Sequence, residues 1–349
     1  MAGPGCPMRA ICLTLLFAAL GGGAAHLLAF PSDWLIGAMA LVTLSSVSGV
    51  RTRVPPHSLE AVQLVLGVSV GLRFSTELPS GMSLLVSLSG LMLCLATQLP
   101  LVQGLLRRLG WSRQEAMLAA SPGALSVMAA LASELDNPLR VVLSQTVRVM
   151  LLISGVTLVL WLGWIEQLPM PTAQVLGHGL SLLLLGLSWG LGRGLRRLRL
   201  PVSPLLGGVI GGALFAAVQP QDAVLAGWLL PASMVLLGAL LGCRIRPVPL
   251  RALLGLLVIG AVICISSALI SLLWAALVGW YLEMSVFQVW LAYAPGGLEA
   301  MIYLALVTGE EPSWVIFHHI VRIVLLSMGG AWLMQYYQAR ESAAAGREP

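Results

Sequence analysis

Apolar residues in this chain form long runs that follow one another from end to end, separated by short polar stretches. An α-helix needs about 20 apolar residues to cross the hydrocarbon core of a bilayer, and most of the runs are close to that length. The pattern therefore predicts an all-α, polytopic helical membrane protein. The runs cover residues 10–30, 34–50, 59–73, 82–106, 114–134 and 139–165, and then 174–195, 203–218, 224–243, 252–281, 286–307 and 314–337.

The two halves of the sequence match each other at an offset of about 170 residues, which indicates an internal duplication. The matching blocks occur in the same order in both halves. We therefore divide the chain into a first membrane repeat (residues 1–170), a second membrane repeat (171–340) and a C-terminal tail (341–349). The paired blocks are residues 31–37 with 201–207, 66–73 with 237–244, 121–128 with 294–301, and Gln145 and Arg148 with His319 and Arg322.

Charged residues are rare and lie mainly between the apolar runs. They make up 9% of the chain, against 58% hydrophobic residues, which excludes a soluble globular protein. All 19 basic side chains are arginines. If every run crossed the membrane, the arginine clusters would lie on both sides, against the positive-inside rule. If one run per repeat does not cross, the second repeat is inverted and nearly all clusters share one side, with about ten crossings. Arginines in this pattern anchor loops, so we expect no direct binding of nucleic acid.

The runs at residues 114–134 and 286–307 are the best candidates for segments that do not cross. Each is interrupted by a Pro-Gly pair, Pro122-Gly123 in the first repeat and Pro295-Gly296 in the second. Proline removes a backbone donor and glycine permits turns, so the pair predicts a broken or re-entrant helix. Inverted repeats with broken helices are typical of secondary transporters. A helix that is merely kinked at Pro-Gly and still crosses is the alternative.

Two arginines lie within apolar runs, where a charge is costly and needs a partner. Arg148 and Arg322 each follow a polar residue by three positions, which places the pair on one helix face. An Arg322–Glu299 ion pair with a purely structural role is one interpretation, and binding of an anion or relay of a proton is the other. The predicted substrate-binding residues are Pro122, Gly123, Ala124, Gln145, Arg148, Pro295, Gly296, Gly297, Glu299, His319 and Arg322.

Catalytic and metal-binding patterns do not stand out in the sequence. The histidines and cysteines lack the spacing of a metal site, and no serine lies in a motif that would place a catalytic base beside it. We therefore expect a protein that is not an enzyme and has no metal or cofactor. Glycine-rich stretches at residues 207–212 and at Gly186, Gly190 and Gly194 predict close helix packing rather than phosphate loops.

The two blocks of Pro-Gly-(Gly/Ala)-Leu-x-x-Met, each followed by a proline and by (Gln/His)-x-x-Arg, resemble the AbrB family of bacterial membrane proteins. The resemblance covers about residues 10–340. It implies a duplicated membrane fold, similar in plan to cation antiporters and anion transporters, and a place in the bacterial inner membrane. The family is also labelled ammonia monooxygenase-like and as regulating gene expression, and the residues support neither a metal oxygenase nor a DNA-binding segment.

Together these patterns predict a multi-pass inner-membrane permease that moves a small solute or ion through a site between the two broken segments. The alternative is a membrane-bound regulator or sensor that influences gene expression indirectly. The expected partners are the lipid bilayer and the solute, and a homo-oligomer is left open.

Overall fold

The computed structural model describes residues 7–73, 81–122, 131–133, 135, 137–165, 173–198, 202–219, 223–245 and 250–345. These parts of the chain are almost entirely helical, with thirteen helices and one pair of two-residue parallel strands. The prediction of an all-α fold is confirmed. The helices are α1 Pro7–Leu27, α2 Asp33–Val47, α3 Ser58–Gly71, α4 Gly81–Arg108, α5 Arg113–Ala120, α6 Pro138–Trp161, α7 His178–Arg197, α8 Ser203–Val218, α9 Leu229–Gly242, α10 Leu250–Leu282, α11 Val286–Tyr293, α12 Leu298–Thr308 and α13 Pro312–Ala345; the strands are β1 Gln174–Val175 and β2 Ala223–Val224.

Four of these helices are long and apolar enough to cross a membrane by themselves. They cover Met8–Leu27, Gly81–Arg108, Pro138–Trp161 and Leu254–Leu282. Six shorter apolar helices accompany them. Large apolar side chains are exposed along many of the helices, which suits a surface in contact with lipid tails rather than water. The chain is a multi-pass membrane protein.

The chain folds into two compact bodies. The first body comprises Met1–Leu78, Ile153–Pro249 and Glu299–Ser313, and the second comprises Pro79–Leu152, Leu250–Leu298 and Trp314–Pro349. Each body therefore takes helices from both halves of the chain. The first contains α1–α3, the end of α6, α7–α9 and nearly all of α12. The second contains α4, α5 and most of α6 together with α10, α11 and most of α13. The boundary near residue 170 separates the two sequence repeats and not the two bodies, and it stays a prediction.

Glycines in the first body show that α3 runs in parallel beside α8, its neighbour from the other repeat. A Cβ atom on Gly67 would collide with the carbonyl oxygen of Leu205, and one on Gly71 would collide with that of Val209. Both residue numbers increase together along the contact. Only glycine allows two backbones to approach this closely.

The equivalent contact joins α9 to α2. A Cβ atom on Gly238 would lie closer than 3.0 Å to the carbonyl oxygen of Leu35, and one on Gly242 closer than 3.0 Å to the side chain of Val42. These helices are also parallel. In each repeat, therefore, the third helix packs on the second helix of the other repeat, as expected for two copies related by a pseudo-two-fold axis.

The equivalent helices α3 and α9 point in opposite directions. Arg73, which follows α3, donates from Nη1 to the carbonyl oxygen of Leu306, at the C-terminal end of α12, over 3.2 Å. Arg244 follows α9 at the matching position and lies near the carboxylate of Glu299, at the N-terminal end of α12. Because matching ends of the two helices lie at opposite ends of α12, the repeats are inverted.

The second body repeats this arrangement with α4 and α10. A Cβ atom on Gly90 would touch the Val278 side chain at 2.5 Å. Further along α4, the Oγ1 of Thr97 accepts a hydrogen bond of 3.0 Å from the indole nitrogen of Trp274. Residue numbers rise along α4 and fall along α10, so these equivalent helices are antiparallel. The prediction of an inverted duplication is confirmed in both bodies.

The glycine prediction is right for α8 and wrong for α7. Cβ atoms at residues 207, 208, 211 and 212 would all collide with neighbouring helices. By contrast, Cβ atoms at Gly186, Gly190 and Gly194 would meet nothing within 4 Å in the part of the chain that the structure describes. On α7 it is Gly192 that faces α8 instead. The difference arises because α7 offers only one of its faces to the body.

Candidate substrate site at the interrupted helices

Two eight-residue helices, α5 and α11, occupy equivalent positions in the repeats. Each begins at a serine whose hydroxyl oxygen accepts a backbone hydrogen bond, Ser112 in α5 and Ser285 in α11. Such caps satisfy amide groups that have no partner within the helix. Each helix ends two residues before a proline, Pro122 or Pro295, because the residue that precedes proline is driven out of the helical region. The local sequence thus defines both ends of these short helices.

The interruption is fully described in the second repeat. The chain leaves the helix after α11, passes through residues 294–297 and starts α12 at Leu298. The predicted broken segment is confirmed there, and the alternative of a continuous kinked helix is wrong. In the first repeat the helix ends before Ser121 and Pro122, while the predicted site residues Gly123 and Ala124 lie outside the described residues.

Arg322, on α13, binds the C-terminal end of α11. Its side chain is only 1% exposed. It donates from Nη1 to the carbonyl oxygens of Tyr293 at 3.3 Å and Ala294 at 2.5 Å, and from Nη2 to that of Gly296 at 3.2 Å. The last carbonyl groups of a helix have no partners within it and carry the negative end of its dipole. Arg322 therefore provides hydrogen-bond donors for the backbone carbonyl groups at the break.

His319 supports this contact in a defined tautomer. Its Nε2 lies 3.0 Å from the carbonyl oxygen of Leu291, and its Nδ1 lies 3.0 Å from Nη2 of Arg322. A carbonyl oxygen only accepts and a guanidinium only donates. The proton must therefore be on Nε2, and Nδ1 accepts from the arginine, so the imidazole is neutral.

The first repeat places equivalent residues at the end of α5. Arg148 is 2% exposed and donates from Nη1 to the carbonyl oxygen of Ala119 over 3.3 Å. Gln145 donates from Nε2 to the carbonyl oxygen of Leu118 over 2.6 Å. Leu118 corresponds to Leu291 in the repeat alignment. Gln145 and His319 therefore bind matching carbonyl groups, and both arginines bind carbonyl groups near the end of the short helix.

Several polar atoms at these two positions are buried without a hydrogen-bond partner among the described residues. They are Nε of Arg148, Oε1 of Gln145 and Nε of Arg322. Unpaired buried polar atoms are costly and mark a place where water or a ligand would bind. The two guanidinium groups also repel each other electrostatically. A site with this composition is suited to an acceptor-rich, negatively charged group.

Comparison with known proteins supports the resemblance found in the sequence. The profile of the family described as "Transition state regulatory protein AbrB" matches residues 3–81 and residues 34–338. The chain belongs to this AbrB family. It is also similar to the uncharacterized protein YhjN of Bacillus subtilis (strain 168), with 24% identity over 344 residues that cover 89% of each chain.

Two cysteines lie near the buried arginines of this AbrB-family protein, and the sequence analysis did not predict these contacts. Cys264 on α10 lies near Arg148, and Cys94 on α4 lies near Arg322. The two cysteines lie 170 residues apart, close to the repeat offset, and each arginine is approached by a cysteine from the other repeat. The repeat offset carried this signal, since the same residue type recurs at the spacing of the other paired blocks.

A second polar group near α11 has no counterpart among the described residues of the first repeat. His318 Nε2 lies 2.8 Å from the Ser87 hydroxyl, and His318 Nδ1 lies 2.8 Å from the carbonyl oxygen of Trp314. The Tyr293 hydroxyl donates to the Ser87 carbonyl oxygen. These contacts tie α4, α11 and α13 together. Sequence reasoning missed Ser87 and Tyr293 because neither belongs to a repeated motif.

Glu299 belongs to the first body of this AbrB-family protein. It accepts a hydrogen bond of 2.8 Å from Nε2 of Gln63, and Gln63 itself is 6% exposed. Burial lowers the pKa of Arg244, which follows α9, and the nearby carboxylate of Glu299 opposes that shift. The hydrogen bonds of Arg322 go to the backbone and to His319. Pro122, Gln145, Arg148, Pro295, Gly296, Gly297, His319 and Arg322 lie in the second body.

Proposed function

We propose that this protein is a permease of the bacterial cytoplasmic membrane, without enzymatic activity, and that its solute binds at the ends of α5 and α11. The observation that carries the proposal is the pair of buried arginines, Arg148 and Arg322, at equivalent broken helix ends. Charged residues at membrane depth are expensive, and they usually belong to a substrate or ion pathway. Broken helices in inverted repeats build the binding sites of many secondary transporters.

We further propose that the solute is a small anion. The end of a helix supplies about half a negative charge, which balances only part of each guanidinium charge. Among the described residues, no carboxylate forms an ion pair with Arg148 or Arg322. An anion would supply the missing charge and accept hydrogen bonds from the free guanidinium nitrogen. Arg148 is the stronger candidate for this contact because its described hydrogen bonds are fewer.

Uptake into vesicles tests the proposal. The full-length protein is reconstituted into liposomes, and uptake of radiolabelled acetate, succinate, phosphate, alanine and methylammonium is compared with that of protein-free vesicles. We expect uptake of at least one of the anions. The variant Arg148→Ala should reduce the rate more than tenfold, whereas Arg108→Ala, which removes an exposed arginine at the end of α4, should leave it unchanged.

Two results would overturn this assignment. Equal uptake by the Arg148→Ala variant would contradict the proposed solute site. Preferential uptake of methylammonium would contradict the proposal that the solute is an anion. Absence of uptake for every probe would contradict the permease itself.

The name of the family, which describes a regulatory protein, favours a second candidate function. In that case the protein changes expression indirectly, through a cytoplasmic partner. Transcript levels would then differ between cells with and without the protein, and the Arg148→Ala variant would preserve the difference. A loss of the difference in that variant would point back to solute movement.

A further inference from the structure

An open cleft of about 340 Å³ lies in the first body, between the start of α3 and the end of α7. We propose that this cleft binds the phosphate headgroup of an anionic phospholipid from the cytoplasmic leaflet. The proposal is independent of the solute site, which lies in the second body. The side chains that matter are His57, Glu60, Leu64, Trp189, Arg193 and Arg196.

The cleft carries an excess of positive charge. Arg196 forms an ion pair of 2.9 Å with Glu60, and Nδ1 of His57 lies 3.3 Å from the same carboxylate. Arg193 lies over the ring of Trp189, 4.3 Å from its centroid, and has no ion pair among the described residues. One carboxylate therefore faces two guanidinium groups. Guanidinium groups bind phosphate oxygens through paired hydrogen bonds, so the free donors suit a phosphate.

The surface beside the cleft favours a lipid over free phosphate. Leu182, Leu183 and Leu187 of α7 are more than half exposed, as expected for residues that face acyl chains. Trp189 is 47% exposed and lies just before the arginines. Tryptophan and arginine in this order are typical of the boundary between lipid tails and headgroups. The phosphate level of a bilayer thus coincides with the cleft.

The glycines of α7 provide a path for an acyl chain. Gly186, Gly190 and Gly194 recur at intervals of four residues, so they lie along one face of the helix. Nothing in the described structure lies within 4 Å of a Cβ at any of them. Arg193 follows Gly190 by three residues and shares that face. A shallow track therefore leads from the apolar surface of α7 to the arginine side of the cleft.

The leaflet follows from the charge pattern. The end of α7 carries Arg193, Arg196 and Arg197, one of the arginine clusters that the positive-inside rule places on the cytoplasmic side. Anionic lipids give the cytoplasmic surface its negative potential, and basic pockets between helices on that side bind their headgroups.

Native mass spectrometry of the full-length protein in detergent tests the proposal. The protein is titrated with phosphatidylglycerol, with phosphatidylcholine of the same acyl chains, and with inorganic phosphate. We expect phosphatidylglycerol to bind at least five times more tightly than phosphatidylcholine, and inorganic phosphate to compete poorly. The double variant Arg193→Ala/Arg196→Ala should weaken phosphatidylglycerol binding at least tenfold.

Two variants keep the test independent of general charge and of folding. Arg107→Ala/Arg108→Ala removes the same charge from the exposed end of α4 and should bind phosphatidylglycerol normally. Gly190→Leu fills the acyl track without changing charge; it should weaken lipid binding severalfold and leave the melting temperature unchanged, because the space is open.

Three outcomes would overturn the proposal. Equal affinity for the two lipids would exclude headgroup recognition. Strong competition by inorganic phosphate would identify a site for a free anion instead of a lipid. An equal loss of binding in the α4 double variant would show that lipid binding depends on the overall surface charge and not on the cleft.

Discussion

Arg148 and Arg322 occupy the same position in the two repeats, and yet their surroundings differ. Arg322 has hydrogen bonds to three backbone carbonyl oxygens and to the accepting nitrogen of His319. The described hydrogen bond of Arg148 goes to one carbonyl oxygen, and Oε1 of the neighbouring Gln145 has no described partner. Among the described residues, Arg322 therefore has more hydrogen bonds than Arg148, while Nε of each arginine has no described partner.

This difference separates two tasks that a duplicated site can perform. A guanidinium whose two terminal nitrogens are bonded to the backbone and to a histidine supports the broken helix and has fewer donors left for a solute. A partly bonded one retains donors for a ligand and loses less when it is removed. If the proposed solute site is right, we expect Arg322 mainly to support the backbone and Arg148 to contact the solute. Both arginines lie in the second body.

Labelling of introduced cysteines from the two sides of the membrane has the largest expected effect, because each residue either reacts from a given side or does not. Ser112 and Ser285 are equivalent exposed residues that follow the antiparallel helices α4 and α10. In a background without native cysteines, Ser112→Cys and Ser285→Cys should react with an impermeant thiol reagent from opposite sides. Reaction of both from one side would contradict the inversion on which the comparison rests.

Removal of each arginine should affect folding to different degrees. Arg322→Ala leaves three carbonyl oxygens and His319 without a donor, and we expect a loss of about 3–5 kcal/mol of stability. Arg148→Ala leaves one described carbonyl oxygen unpaired, at a cost of about 1–2 kcal/mol. Thermal unfolding in detergent, followed by size-exclusion chromatography, measures both. Equal losses would mean that the two arginines do the same structural work.

Glycine substitutions compare the close contacts of α3 with the open face of α7. Gly67→Ala places a methyl group against the carbonyl oxygen of Leu205 and should destabilise the protein by about 1–3 kcal/mol. Gly186→Ala places its methyl group more than 4 Å from every described neighbour, and it should be neutral or stabilising by up to about 1 kcal/mol, because alanine favours helix. The same unfolding assay applies. A harmless Gly67→Ala would show that α3 and α8 are less closely packed than described.

Exchanging the companion residues gives the smallest effect and the finest test. Gln145→His provides the first repeat with the side chain of the second and should stabilise the protein by less than about 1 kcal/mol, while it lowers solute uptake. His319→Gln should cost about 1 kcal/mol and leave uptake close to normal. The opposite pattern, with uptake sensitive only to His319→Gln, would assign the solute to the second repeat.

Much of the fold and part of the site follow from short-range signals in the sequence. The repeat, the Pro-Gly interruptions and the (Gln/His)-x-x-Arg pairs are local patterns, and residues three apart on a helix share a face wherever the helix lies. The charge count predicted the inversion because loop arginines respond to the membrane as a whole. The position of Glu299 was not predictable, because its partner Gln63 lies 236 residues away in the chain.

The sequence alone determined that the protein crosses a membrane, that it is duplicated and where its helices break, because composition, periodicity and backbone chemistry act within a few residues. Only the tertiary structure decided that α3 packs on α8 and α9 on α2, that each body draws helices from both copies, and that the buried arginines bind backbone carbonyls. These features depend on the close approach of distant segments. Which glycine meets a neighbour and which faces open space is a property of that approach and not of the residue.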